Sequence, residues 1–177
     1  MSSKQKTAPL GTVAAEIRQS RPFASPEREA SVTLLRTGDV LRHAVESALR
    51  PWGISNEQYN VLRILKGADE QGLPTLEIAE RMVARSPNIT RLIDKMAAKG
   101  LAERHQVEGD RRVVRVTATP QGRKTLETLD RAIEAMLTKL TPLGPSQLRS
   151  LVRLLDAVRQ RLAVPTVREG IARKTRT

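Results

Sequence analysis

The chain has 177 residues, which suits one ordinary domain with short extensions, and its 31 lysines and arginines against 19 aspartates and glutamates give a formal charge of +12. It contains no cysteine and only two histidines, which excludes disulfide scaffolds, thiol switches and cysteine nucleophiles and leaves little for a metal site. There is no apolar run of about 18 residues and no signal-peptide core, so we predict a soluble, cytoplasmic protein with a polyanionic partner.

The excess positive charge is concentrated in one part of the chain. Residues 85–124 carry ten basic and four acidic residues, a net charge of +6, whereas residues 31–84 carry six and seven, a net charge of −1. Residues 85–124 lie where the sequence has regular helix and strand patterns, so their basic side chains are held in fixed positions. They therefore indicate a binding surface better than a basic tail does.

The first 30 residues mix serine, lysine, threonine and proline, so we predict a disordered extension with a short helical stretch at residues 11–19. From Ser31, apolar residues recur at intervals of three or four, and this pattern predicts a helix that stops at Pro51.

Capping signals predict the next two helices. Ser55 and Gln58 have the spacing of a capping box, so a helix begins there and runs to Gly67. A polar loop over residues 68–74 follows, and Thr75 is predicted to cap a short helix.

A further helix is predicted to start at Ser86, as the cap, and Pro87, as the first helical residue. It ends before Gly100, which suits a left-handed C-cap. Only a few residues separate it from the short helix that starts at Thr75, and two helices so joined form a helix-turn-helix pattern.

On this second helix, one face carries Ile89, Leu92, Ile93 and Met96, which are predicted to face the core. The outer face carries Asn88, Thr90 and Arg91 near the N-terminus, side chains that can reach base edges or phosphates. The free N–H groups of the first turn add an anion site. A recognition helix that enters the major groove by its N-terminal end has this layout. A surface helix with a polar outer face has it too, so the helix alone leaves both interpretations open.

After Leu101 the apolar period changes to two, which predicts strands over residues 104–107 and 112–119 joined by residues 108–111. Four arginines cluster in this ribbon: Arg104, Arg111, Arg112 and Arg115. Asp110 beside two of them can restrain a guanidinium so that it reaches a narrow groove. The alternative is a solvated hairpin whose charges keep an edge strand from aggregating. A basic ribbon directly after a helix-turn-helix, however, indicates DNA binding more specifically than either motif does alone.

Two helices complete the chain, one from Pro120 and one between the break at residues 141–145 and Pro165. The tail, residues 164–177, is basic and predicted to be disordered. The first helix and the last two have apolar stripes that pack within the chain or against a second copy. A single helix-turn-helix contacts few base pairs of DNA, so a two-fold symmetric dimer is favoured.

These motifs together resemble the MarR-type winged helix-turn-helix regulators over residues 31–163. The match is sharpest over residues 76–81, 86–96 and 99–101, and it continues through Gly109-Asp110-Arg111-Arg112 to Thr119-Pro120-Gln121-Gly122. Ala118 departs from the family's usual leucine. The resemblance implies an α+β, mostly helical fold, in which residues 31–50 and 121–163 form a helical dimerisation region around a winged helix-turn-helix of residues 54–119.

The resemblance also implies an obligate homodimer on a pseudo-palindromic operator in double-stranded DNA, with recognition helices in successive major grooves. Arg112 would enter the minor groove with Asp110 as its orienting partner. Many members of the family respond to small phenolic or carboxylate ligands, and Trp52 and Tyr59 flank the loop where the family's effector pocket lies. A small aromatic or carboxylate effector is therefore a predicted partner, with Trp52 and Tyr59 as its candidate contacts. The alternative is that these two aromatic side chains only pack within the protein.

We thus predict a sequence-specific DNA-binding transcription regulator that acts as a dimeric repressor and is released by a small-molecule ligand. The alternative is a basic architectural DNA-binding protein with little sequence preference. The predicted DNA-contacting residues are Thr75, Ser86, Pro87, Asn88, Thr90, Arg91, Lys95, Asp110, Arg111 and Arg112. No nucleophile–base pair or metal set is evident in the sequence, so no enzyme activity or cofactor is predicted. His43 and His105 are predicted to be structural or solvent-facing.

Overall fold

The computed structural model describes residues 12–84, 88–107, 110–140 and 142–162. The helices are α1 Val13–Glu16, α2 Pro26–Leu49, α3 Asn56–Lys66, α4 Thr75–Arg81, α5 Ile89–Ala98, α6 Pro120–Leu140 and α7 Pro145–Leu162, with a short 3-10 turn at Arg50–Trp52. The strands are β1 Leu73–Pro74, β2 Ala102–Val107 and β3 Asp110–Ala118, which form one antiparallel sheet in the order β1-β3-β2. This mostly helical α+β architecture is the predicted winged helix-turn-helix.

Two compact units divide the chain, Met1–Leu137 and Thr138–Thr177. The first contains the helix-turn-helix, the sheet and the main apolar core. The second contains α7, whose described residues include several exposed apolar side chains, among them Leu151, Val152 and Leu154. Among the described residues, each helix is too short or too polar to span a lipid bilayer.

The N-terminal helix α2 begins at Pro26, before the predicted start at Ser31. Ser25 caps it by accepting a hydrogen bond from the Arg28 N–H at 3.3 Å, and Pro26 occupies the first turn, where its missing N–H costs nothing. This serine-proline start outweighs the lack of apolar periodicity in the first turn. The single-turn helix α1 falls inside the stretch predicted to be helical, whereas residues 1–11 lie outside the described part.

The predicted capping box at the start of α3 is confirmed. The Ser55 Oγ accepts from the Gln58 N–H, the Gln58 Oε1 accepts from the Ser55 N–H, and both distances are 3.2 Å. These two bonds satisfy two backbone N–H groups at the start of α3 and so define where the helix begins.

The predicted cap at Thr75 is wrong. The N-cap of α4 is Pro74, with no side-chain hydrogen bond, and Thr75 is the first helical residue. Leu73 and Pro74 form strand β1, opposite Val116 and Arg115 of β3, where a polar loop was predicted. Pro74 is tolerated because β1 lies at the edge of the sheet, and a strand of two residues has too short a pattern to be detected in the sequence.

The predicted cap of the recognition helix also needs correction. Helix α5 begins at Ile89, and its N-cap is Asn88, whose Oδ1 accepts from the Arg91 N–H at 3.0 Å. Asparagine caps a helix as well as serine does, so the later of two good caps is used. Ser86 and Pro87 themselves lie outside the described residues.

The C-terminal end of α5 has the predicted left-handed cap. Gly100 has a φ of 67°, and the Gly100 and Leu101 N–H groups donate to the carbonyls of Ala97 and Met96 at 2.8 and 2.9 Å. This is a Schellman motif, and Leu101 is buried as the motif's apolar contact.

The hairpin strands are longer than predicted. Ala102 pairs with Ala118, the register continues to Gln106 opposite Val114, and an irregularity follows between Gln106 and Val107. Since β3 starts at Asp110, Asp110 and Arg111 lie in a strand and not in the connection where they were predicted. Residues 108–109 lie outside the described part.

One apolar core lies beneath the helix-turn-helix. The predicted inner face of α5 is confirmed: Ile93 and Met96 are fully buried, and Ile89 and Leu92 pack against the same core. Other fully or almost fully buried members are Leu49, Val61, Leu62, Ile78, Val116, Leu126 and Leu129. The core therefore joins α5 to α3, α4, the sheet and the first half of α6.

Candidate nucleic-acid interface

The outer face of α5 is exposed and polar. Asn88, Thr90, Arg91 and Lys95 are all exposed, and three of them, Asn88, Arg91 and Lys95, line one groove of about 720 Å³ between α5 and the start of α3. Side chains of these types can contact base edges or phosphates. The structure thus brings together the part of the predicted site that lies on α5.

Asn88 also has a structural role at the start of α5. Its Oδ1 accepts the Arg91 N–H, so the side chain is held at the end of the helix. The bidentate contact that asparagine makes with adenine uses both Oδ1 and Nδ2, and here Oδ1 would have to serve the cap and the base together.

Arg104 joins the wing to the recognition helix. Its Nη2 donates to the Thr90 carbonyl at 3.1 Å, and its Nη1 lies 3.0 Å from the Asp94 Oδ1. Thr90 and Asp94 are four residues apart and therefore lie on one side of α5. The guanidinium consequently fixes strand β2 against one turn of the helix.

Arg115 is also bound within the protein. Its Nε and Nη2 donate to the carbonyls of Gln71 and Gly72 at 2.9 and 2.6 Å, which ties β3 to the loop before β1. Two of the four arginines expected to form a basic ribbon thus serve the fold. The backbones of Asp110, Arg111 and Arg112 lie on β3, and their side chains lie outside the described part.

Lys99 and Gln58 were not predicted to contribute to the site. The Lys99 Nζ donates to the Gly53 carbonyl at 2.6 Å and to the Gln58 Oε1 at 3.2 Å, and Gln58 is buried. The end of α5 is thereby attached to the start of α3. The capping-box spacing identified Gln58 as a cap, but a contact between residues 41 positions apart leaves no local signal.

Thr75 lies at the start of α4 and is half-buried. The turn that follows α4 is held by Asn60 of α3, whose Oδ1 accepts a hydrogen bond from the Val83 N–H at 2.8 Å. These contacts position α4 and its turn, on which the placement of α5 depends.

A second groove, of about 570 Å³, lies between α3 and α6. Both polar and apolar residues line it, among them Tyr59, Arg63, Ile64, Asp130, Ile133 and Leu137. Of the two aromatic residues predicted at the effector pocket, Tyr59 lines this groove, whereas Trp52 lies on the 3-10 turn and is not among the lining residues of this groove.

Asp130 is the polar centre of this groove. It accepts hydrogen bonds from the Tyr59 hydroxyl at 2.9 Å, the Arg63 Nη1 at 3.1 Å and the Lys66 Nζ at 3.2 Å. Burial opposes ionisation of Asp130, but the three hydrogen bonds outweigh it and hold the pKa of the carboxyl below its ordinary value. Burial, the hydrogen bond to Asp130 and its charge together raise the pKa of Tyr59 to about 12.

The two histidines are exposed. His43 Nδ1 lies 2.9 Å from the Asp39 carbonyl, and His105 Nε2 lies 2.9 Å from the Thr117 Oγ1. Across the described ranges, no group of three or more histidine, cysteine, aspartate or glutamate side chains is arranged to hold a metal ion.

Known proteins share both the sequence and the fold. The MarR family model matches residues 54–114. The chain is 26% identical over 125 residues to the HTH-type transcriptional regulator PapX of Escherichia coli, covering 70% of this chain and 76% of PapX.

Two solved structures extend the comparison. A MarR transcription factor from Planctomyces limnophilus is 35% identical, with a TM-score of 0.56 over 77% of this chain and 99% of that one. The structure of the S. aureus MepR–DNA complex is 21% identical, with a TM-score of 0.66 over 73% of this chain and 96% of the MepR chain. The structure has the winged helix-turn-helix geometry, and the 35% identical MarR transcription factor is matched over almost its whole length. The chain therefore belongs to the MarR family of transcription regulators.

Proposed function

We propose that this regulator is a cytoplasmic, homodimeric repressor that binds a pseudo-palindromic site in double-stranded DNA. The observation that carries the proposal is the exposed polar face of α5, with Asn88, Arg91 and Lys95 on one groove. Arg104 and Lys99 hold this helix against the wing and against α3. A pre-positioned helix of this kind loses little conformational entropy on binding.

The N-terminal end of α5 enters the major groove in this proposal. Asn88, Thr90 and Arg91 lie closest to the bases, and Lys95, one turn further along, contacts phosphate. The resemblance to the family supports a wing that contacts DNA, and the fold is shared with MepR, whose structure was solved as a DNA complex. Arg112 would occupy the minor groove there, with Asp110 as its orienting partner and Arg111 beside it.

Exposed apolar side chains support the dimer. On α2, Leu34, Leu35 and Leu41 are exposed, and Leu35 retains 76% of its accessible surface. On α7, Val152 and Leu154 are similarly exposed. Apolar patches of this kind on a protein surface usually mark an interface, and pairing two reading heads doubles the number of base pairs contacted.

The groove between α3 and α6 suits a small aromatic or carboxylate effector. Ile64, Ile133 and Leu137 offer apolar walls, and the exposed Arg63 offers a guanidinium that can pair with a carboxylate. Benzoate is a suitable probe. We expect it to weaken DNA binding by the wild type and to have a smaller effect on Arg63→Ala, whereas equal effects would place the effector elsewhere.

Selection of bound DNA from a random pool tests the function directly. A two-fold symmetric consensus supports the repressor, and enrichment of no sequence, with strong salt dependence, supports the architectural alternative. Sedimentation at micromolar concentration tests the dimer, since a species of 19.6 kDa would contradict it. Repression is tested with a reporter promoter that carries the selected site.

A further inference from the structure

Asp130 of α6 is bound by one stripe of α3. Its three donors, Tyr59, Arg63 and Lys66, are spaced by four and three residues, so they share one face of α3. The Asp130 side chain is only 18% exposed, whereas those of Arg63 and Lys66 are more than half exposed. A largely enclosed carboxylate thus receives two cations and a phenol from a single helix.

This contact joins two parts of the regulator. We call α4, α5 and the strands β2 and β3 the reading module. Helix α3 is attached to it, because Gln58 binds Lys99 of the recognition helix and Asn60 binds the turn at Val83. Helix α6 follows the wing in the chain and belongs to the proposed dimerisation region. The angle between α3 and α6 therefore determines how the reading module is presented to DNA.

The start of α6 is fixed to the end of α5 by the hydrogen bonds of Thr119. Beyond that junction, two kinds of direct contact between α3 and α6 set the angle. Leu126 and Leu129 pack in the common core with Leu62, but apolar packing is largely non-directional and tolerates small rotations. The hydrogen bonds to Asp130 are directional, and each requires its donor along a particular line. Losing them would leave a packed core in which α6 rotates more easily against α3.

We infer that Asp130 is a positioning residue that sets the separation of DNA half-sites which the dimer accepts. This inference rests on the proposed dimeric function. Adding one base pair between half-sites moves them apart by about 3.4 Å and rotates one against the other by about 36°. A dimer whose reading modules are held at a fixed angle rejects such a change, and one whose modules rotate tolerates it.

The test uses the full-length protein and the symmetric site selected from the random pool. Duplexes carry the two half-sites at the selected spacing and with one base pair added or removed, and binding is measured by fluorescence anisotropy at one salt concentration. The variants are Asp130→Asn, Tyr59→Phe and Asp130→Glu. The control is Asp69→Asn, which removes an exposed carboxylate from the loop after α3.

We expect the wild type and Asp69→Asn to bind the altered spacings about tenfold more weakly than the selected spacing, a loss similar to that of a mismatched base pair. Asp130→Asn should bind all three spacings within about a factor of three of one another, and Tyr59→Phe should shift in the same direction by less. Asp130→Glu should recover part of the discrimination, because it keeps the charge.

Two results would overturn the role of Asp130. One is an Asp130→Asn variant with the spacing preference of the wild type. The other is an equal loss of affinity on all three duplexes, which would indicate a merely structural residue. Should Asp130→Asn fail to fold, Tyr59→Phe decides between these outcomes. If the wild type selects no symmetric site, the proposed function itself fails, and that result is separate.

Discussion

A Cβ atom placed on Gly122 would lie 2.0 Å from the carbonyl oxygen of Leu101. Leu101 closes the C-cap of the recognition helix, and Gly122 is the third residue of α6. Thr119 completes the junction, because its hydroxyl donates to the Gly100 carbonyl at 2.6 Å and accepts the Gly122 N–H at 2.9 Å. The Thr-Pro-x-Gly motif therefore locks the end of α5 against the start of α6.

Replacing Gly122 should destabilise the fold. The methyl group of Gly122→Ala collides with backbone, which cannot move as a side chain can, so we expect a loss of about 1–3 kcal/mol in the free energy of unfolding. Urea denaturation measures it. Gly67→Ala is the matched control, since a Cβ there lies 3.7 Å from the nearest carbonyl oxygen, an ordinary contact. Similar losses in both variants would show that the Leu101 contact is not the cause.

Asn88 should show two separable effects. Asn88→Ala removes the cap of α5 and should lower the free energy of unfolding by about 1 kcal/mol. Asn88→Ser keeps a capping oxygen and should retain stability while changing the preference among operator variants, if Asn88 reads bases. Thermal unfolding and competition binding measure the two effects. A uniform loss of affinity by Asn88→Ser on every operator variant would remove the base-reading role.

Two arginines of the same strand should behave differently. Arg112→Ala should weaken DNA binding by about 1–3 kcal/mol, as for an arginine in the minor groove, without changing stability. Arg115→Ala should instead lower stability by about 1–2 kcal/mol, because it loses hydrogen bonds to two carbonyls. Arg21→Ala, between α1 and α2, controls for the lost charge. Unchanged affinity in Arg112→Ala would exclude the wing from the interface.

Tyr59 can be titrated alone because it is the only tyrosine in the chain. The near-ultraviolet absorbance of tyrosinate should rise with a midpoint at a pKa of about 12. In Asp130→Asn the carboxylate charge is gone, so the midpoint should fall towards the ordinary value of about 10, while burial keeps it from reaching that value. A wild-type midpoint near 10 in protein shown to be folded by circular dichroism would contradict the contact.

Local signals predicted most of the architecture. The Ser55–Gln58 capping box, the left-handed cap at Gly100 and the apolar face of α5 each involve residues within a few positions of one another. Such patterns are fixed by backbone geometry and are visible in a single sequence. The helix-turn-helix and the hairpin could therefore be placed to within a few residues.

Competing local signals and long-range contacts account for the errors. Ser86 and Asn88 are both good caps, and the sequence alone does not rank them. Strand β1 exists only because Leu73 and Pro74 meet β3 more than 40 residues later. The internal use of Arg104 and Arg115 depends on carbonyl groups of other elements, so a count of charges along the sequence overestimates the exposed basic surface.

That overestimate bears on the salt dependence of DNA binding. Of the ten cations in residues 85–124, at least four, Lys99, Arg104, Arg115 and Arg123, donate to oxygen atoms of the protein. A cation occupied in this way displaces fewer counterions from the phosphate backbone than a solvated one does. The number of ions released per protomer should therefore lie well below ten, with a plot of log affinity against log salt correspondingly shallow. At least four of these ten cations thus stabilise the protein itself, and only the others are available to contact the duplex.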